Sequence, residues 1–342
     1  MSFIMRVMTP RIGRRAALLL TLPLPALAQG TAQAPMEAVM RVAEATPDLR
    51  SLVVARHGRV LLQRVLRGPG LEAPTNIKSA SKTIVASLIG IALARGALTG
   101  LDQPVAPLLA GRIPPDADPR VRDITIGDLL SMRAGLEGTS GRNYGAFVAS
   151  RDWIRYVLSR PMIDEPGGRM IYSTGSTHLL GAVLVRATRR SLRQLAQDWL
   201  FGPLGHTVPD WMRDPQGLHF GGNEMALSPR ALLAFGECCR NGGMAGGRRI
   251  IPEPFLRDAW TPRGRSSFGG QFYGLGWWIG EARGQPVFFA WGYGGQMVYL
   301  LPGLGLTVVM TSAPDVPRVP GQVMTRHALL VDGILPAFET AG

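Results

Sequence analysis

Asn76-Ile77-Lys78-Ser79-Ala80-Ser81-Lys82-Thr83-Ile84-Val85-Ala86-Ser87-Leu88-Ile89 is the stretch from which the chain is read. From Ser79 to Arg95 the pattern is helical: Ile84, Val85, Leu88, Ile89 and Leu93 face a core, and Gly96 stops the helix. Ser79 therefore stands at the amino end of a buried helix, and Lys82, one turn later, shares its face. The chain has 37 lysines and arginines, and only Lys78 and Lys82 are lysines. Guanidinium stays charged, so arginine cannot supply an amine that sheds its proton near neutral pH. A lysine kept in such a background, three residues after a serine, is a candidate base for a serine nucleophile.

Upstream, Leu52 to Arg56, a His57-Gly58 turn and Val60 to Leu66 predict a β-hairpin. Downstream, residues 97–244 alternate short helices with Gly/Pro loops and predict a helical lobe. From Tyr273 onward strand patterns return. Val287 to Trp291, Met297 to Leu301 and Leu306 to Thr311 read as an antiparallel meander, the last two split by the turn Pro302-Gly303-Leu304-Gly305, and Val323 to Leu335 reads as a closing helix. Strands at both ends with helices between them predict an α/β fold: one antiparallel sheet built from both chain ends, flanked by helices, with a large helical insertion. The expected boundaries are a sheet region at 41–96 and 245–342, the lobe at 97–244 and a linker at 29–40.

Residues 1–28 read as an export signal. Arg6, Arg11, Arg14 and Arg15 precede the short apolar run Ala16 to Leu24, and Ala26-Leu27-Ala28 is a small-x-small cleavage site. The run is too short, and too broken by Pro23 and Pro25, for a membrane span. Arg14-Arg15 is compatible with the twin-arginine route, and general secretion stays open beside it. A periplasmic or secreted protein follows, with no stable membrane insertion. The 314 residues beyond the signal suffice for one large or two closely packed domains.

Two further segments carry chemistry. Pro166-Gly167-Gly168-Arg169-Met170-Ile171-Tyr172-Ser173-Thr174-Gly175 offers a phenol, which nearby ammonium groups would acidify and which could relay a proton. Ala290-Trp291-Gly292-Tyr293-Gly294-Gly295-Gln296 puts glycines at a strand edge, where a substrate can approach the backbone and N–H groups can face an oxyanion. Lys82 itself needs a lowered pKa, which burial would provide.

The three segments, in this order, resemble the serine β-lactamase/penicillin-binding-protein-like hydrolase superfamily. Tyr172 followed by two residues is similar to the second motif of the class C β-lactamase and esterase branch. Ile124 to Leu136 and Tyr273 to Trp278 widen the likeness, which is closest to 6-aminohexanoate-dimer hydrolases and spans roughly residues 40–335. The resemblance implies Ser79 as the acylated nucleophile, Lys82 as its proton acceptor and Tyr172 as general acid–base. It also implies an oxyanion hole from the N–H groups of Ser79 and Tyr293, with Thr174, Trp291 and Gly292 lining the substrate. Two departures stand out. Tyr172-Ser173-Thr174 replaces Tyr-x-Asn, and Ala290-Trp291-Gly292 replaces Lys-Thr-Gly, so a cation that would help hold a β-lactam carboxylate is missing.

Competing chemistries find little support. There is no Gly-x-Ser-x-Gly elbow, and His57, His178, His206, His219 and His327 lack metal-ligand spacing. Neither metal nor cofactor is called for. No nucleic-acid-binding motif occurs, and Arg186, Arg189, Arg190 and Arg193 read as a solvated helix face. Adjacent Cys238 and Cys239 on a helix cannot easily close an unstrained disulfide and read as packing residues. Asp128 reads as a helix cap. The expected activity is hydrolysis of a small carboxylic ester or linear amide. A β-lactamase or D-Ala-directed peptidase, and a non-catalytic sensor of the same fold, are the alternatives.

Overall fold

The computed structural model describes residues 33–267, 269–314 and 326–339. The export segment 1–28 and the first three residues of the expected closing helix lie outside the described residues. Among the described residues, no helix is long and apolar enough to cross a membrane.

An antiparallel eight-stranded sheet runs in the order Arg59–Val65, Leu49–Arg56, Leu306–Ser312, Gln296–Leu301, Gln285–Gly292, Trp278–Ala282, Phe272–Tyr273 and Gly264–Arg265. The two strands nearest the amino terminus thus join six from the second half of the chain. The first hairpin closes through His57 and Gly58, both at positive φ (50° and 80°), as a tight two-residue β-turn demands. Its inner strand pairs Val53 with Val309 and Val54 with Val308.

Alternation along these strands feeds two cores. Val53, Val298, Leu300 and Val309 face the helix Ser81–Ala94 and the lobe. Leu52, Val54, Met297, Tyr299 and Val308 face the other way, with Leu329, Leu330 and Leu335 near the carboxyl end. Ser81–Ala94 is buried from Ser81 through Ala92, because it is wedged between sheet and lobe.

Two boundaries differ from the sequence reading. Gln33–Glu44 is a helix, where a linker is expected as far as residue 40. Val39 and Ala43, one turn apart, are fully buried against the sheet's outer core, and this contact orders the segment. The helix Pro229–Arg240, placed in the lobe by the sequence, lies on the sheet instead, with Gly236 facing Val298, Leu300 and Thr307. The lobe proper carries the helices Ile126–Leu130, Tyr144–Ala149, Trp153–Leu158 and Thr174–Thr188. Asp128 forms a reciprocal capping box with Thr125, and Cys238 and Cys239 are buried and unbridged.

Candidate active site

Ser79 occupies a short 3-10 turn, Lys78–Ala80, that leads into the buried helix. The turn is set by Lys78, at positive φ (50°), whose N–H donates to Asn76 Oδ1 at 2.8 Å. Lys82 is 2% exposed. Its Nζ lies 2.9 Å from Ser79 Oγ, 3.2 Å from Thr174 Oγ1 and 2.6 Å from the Gly222 carbonyl. Burial lowers this amine from its ordinary 10.5 to about 7, since a low-dielectric site disfavours the ammonium.

One arrangement of these contacts turns the lone pair to Ser79. A neutral amine has two N–H bonds and one lone pair. The Gly222 carbonyl can only accept, so one N–H goes there. Thr174 Oγ1 takes the second when its own hydrogen turns to Ser140 Oγ, 2.8 Å away. The lone pair then faces the Ser79 hydroxyl, the geometry a general base requires.

Tyr172 is hydrogen-bonded to Ser79, and burial pushes its phenol up to about 12 despite that bond. This is the reverse of the acidification expected from an ammonium neighbour. Lys82 Nζ lies over the Tyr172 ring, 5.0 Å from its centroid, and is itself shifted toward neutrality, so desolvation prevails. At neutral pH Tyr172 is a proton donor in waiting.

The strand Gln285–Gly292 ends beside the nucleophile turn. A Cβ on Gly292 would fall 2.1 Å from the Ile77 carbonyl, so glycine lets the strand edge close on the turn preceding Ser79. Tyr293 follows at the head of the turn, 44% exposed. The alternation of the strand separates its neighbours. Ala290 is buried in the core shared with the lobe. Trp291 lies on the opposite face, its ring 5.2 Å from Trp278, which in turn lies 5.5 Å from Tyr172.

Lys82 and Tyr172 thus meet at the Ser79 hydroxyl, and Thr174 meets the lysine. Gly292 adjoins them through the Ile77 contact, Tyr293 is its neighbour in the chain, and Trp291 belongs to the aromatic wall beside Tyr172. Thr174 is 3% exposed, and its hydroxyl is turned to the lysine and Ser140.

Other participants escaped the sequence reading. Gly222 supplies the shortest lysine contact, and Cβ atoms on Gly221 or Gly222 would strike the carbonyls of Thr177 and Thr174 at 2.6 and 2.4 Å. The Gly-Gly pair was a visible signal of close approach, but nothing local showed what it approaches. Lys78, given no role from sequence, pairs with Glu224 at 3.3 Å, and Asn76 donates to the same carboxylate. Among the described residues, no group of three His, Cys, Asp or Glu side chains is arranged to hold a metal ion.

Residues 50–332 match the Beta-lactamase family. The chain belongs to that family, and the class so defined is a hydrolase. Three solved structures illustrate the likeness. EstCE1, a hydrolase with promiscuous acyltransferase activity, is 19% identical with a TM-score of 0.71, over 89% of this chain and 99% of that one. A Bacillus anthracis protein classed as a 6-aminohexanoate-dimer hydrolase is 17% identical with a TM-score of 0.70, over 86% and 80%. A D-stereospecific amidohydrolase from Streptomyces sp. is 18% identical with a TM-score of 0.66, over 84% and 97%. At such identities the likeness is one of fold.

Proposed function

We propose that this protein is an exported serine hydrolase that forms an acyl-enzyme on Ser79 and cleaves carboxylic esters or linear amides. The observation that carries the reading is the 2.9 Å contact between Ser79 Oγ and a buried Lys82 amine lowered to about 7. Neutral Lys82 takes the Ser79 proton as Oγ attacks the carbonyl carbon. The N–H groups of Ser79 and Tyr293 receive the oxyanion. Tyr172 passes its proton to the leaving group as the tetrahedral intermediate collapses and takes the Ser79 proton from Lys82 in exchange, which leaves the amine neutral again. Water then repeats the sequence on the acyl-enzyme. Export rests on residues 1–28, and no cofactor enters any step.

The aromatic side chains beside Tyr172 and the absence of a cation at Ala290 favour uncharged acyl groups. Lys78 is the nearest other lysine, and Glu224 already offsets its charge. A charge-assisted hydrogen bond to a β-lactam carboxylate would contribute about 1.5–3 kcal/mol, so its loss lowers kcat/KM by roughly one to two orders of magnitude. The purified protein should hydrolyse p-nitrophenyl acetate and butyrate readily and nitrocefin slowly or not at all. Fast nitrocefin turnover beside weak esterase activity would reject the ester reading in favour of a β-lactamase. Acylation by esters without turnover would support a sensor.

A further inference from the structure

We propose that His178 and Asp214, a buried pair outside the acylation chemistry, act as positioning residues that hold the Gly222 carbonyl on Lys82. This inference rests on Lys82 as the base.

The helix Thr174–Thr188 presents Thr174 and His178 one turn apart. Thr174 touches Lys82 directly, while His178 reaches the same amine through the glycine pair. The Gly221 N–H donates to His178 Nδ1 at 3.4 Å, so Nδ1 carries no proton and the ring hydrogen is on Nε2. That hydrogen faces Asp214 Oδ2 at 3.1 Å. The other Asp214 oxygen accepts the N–H groups of Gln216 and Leu218. Burial raises the Asp214 carboxyl, but the His178 bond and these backbone amides outweigh it and hold it below the usual carboxylate range.

His178 is completely buried, with the rings of Trp153, Phe220 and Phe147 5.4, 5.7 and 6.3 Å away. An apolar side chain would suit such a cage, and burying a carboxylate against a neutral imidazole is a poor source of stability. A local need explains it better. Gly221 and Gly222 must be glycines to lie flush on the helix, and two glycines in a row leave a carbonyl direction loosely defined. His178 pins the Phe220–Gly221 peptide that leads into the pair, and Asp214 fixes the tautomer that lets it do so. The Gly222 carbonyl then stays on Lys82, and the lone pair stays on Ser79.

The test compares His178→Gln, His178→Asn and Asp214→Asn in the full chain. Turnover of p-nitrophenyl butyrate, fluorophosphonate acylation rates and melting temperatures are measured for each. Gln places a donor where Nε2 was but no acceptor for Gly221, whereas Asn places an acceptor at the Nδ1 position and abandons Asp214. His178→Gln should lose roughly 10- to 100-fold in kcat and acylation rate, the scale of a misaligned catalytic group, with KM changed less than about twofold. His178→Asn should recover most of that loss even if it melts lower. Asp214→Asn, nearly isosteric, frees the imidazole to flip and should lose kcat comparably; it decides the matter if the His178 variants do not fold. Activity that follows melting temperature alone, or wild-type kcat in Asp214→Asn, would overturn the inference. Failure of the wild-type protein to label at Ser79 would instead strike the underlying function.

Discussion

Ser79→Ala is expected to lower kcat by about 10⁶-fold, the scale on which loss of a serine nucleophile acts in a hydrolase, and to abolish labelling by a fluorophosphonate. The reagent requires a hydroxyl with a base within reach and donors for the developing phosphoryl charge. Neighbouring serines lack that setting. Ser81 Oγ donates to the Lys78 carbonyl at 2.5 Å, Ser140 Oγ is held by Thr174, and Ser173 Oγ is held by Thr139. Only Ser79 Oγ, among the described serines, is hydrogen-bonded to Lys82. Intact mass and peptide mapping should therefore find one adduct, on Ser79, and none in the alanine variant. An adduct that persists in Ser79→Ala would dismiss Ser79 as the nucleophile.

The parts of this arrangement visible in the sequence are those set by local spacing. Ser79 and Lys82 lie three residues apart on a helix whose apolar positions are unmistakable, so their meeting follows from helical geometry. The hairpin at His57-Gly58 and the meander from Val287 to Thr311 follow from period-two patterns and turn residues. What could not be read is set by distant contacts. Gly222 is 140 residues from Lys82, and no pattern near either announces the bond. Gly292 signals a close backbone approach in the sequence, but only the fold shows that the Ile77 carbonyl is one of the atoms it approaches. The sequence suggests an ammonium beside the Tyr172 phenol, but not the burial that pushes that phenol up instead. In the helix Gln33–Glu44, Val39 and Ala43 are too few to proclaim a helix until the sheet that receives them is known.

Lys82 joins two expectations of opposite sign. Lys82→Arg keeps the cation and removes the titratable lone pair, so turnover should fall at least about 10²-fold, the ordinary contribution of a general base. Lys78→Arg keeps an ion pair with Glu224 and should change turnover less than about fivefold, since partly exposed pairs contribute little. Equal losses would refute the distinction drawn between the two lysines. In the wild-type protein the acylation rate should rise with an apparent pKa near 7 as Lys82 loses its proton. It should then stay level past pH 10, because Tyr172 keeps its proton to about 12. The same shift carries a stability cost. Between pH 7 and 10.5 the unfolded chain binds a proton on Lys82 that the folded chain does not, so stability rises with pH across that window and is lowest below it. A lowering from 10.5 to about 7 corresponds to roughly 4–5 kcal/mol. Lys82→Met removes that penalty but leaves the Gly222 carbonyl without its donor, at a cost of about 1–3 kcal/mol. The variant should be inactive yet more stable than wild type at pH 6 by roughly 2 kcal/mol, the difference of those terms, and the advantage should vanish and reverse toward pH 10. Chemical denaturation of both proteins at the two pH values measures this. A Lys82→Met variant less stable than wild type at pH 6 would mean that the amine is not held against its solvation, and would remove the physical basis for its service as a base.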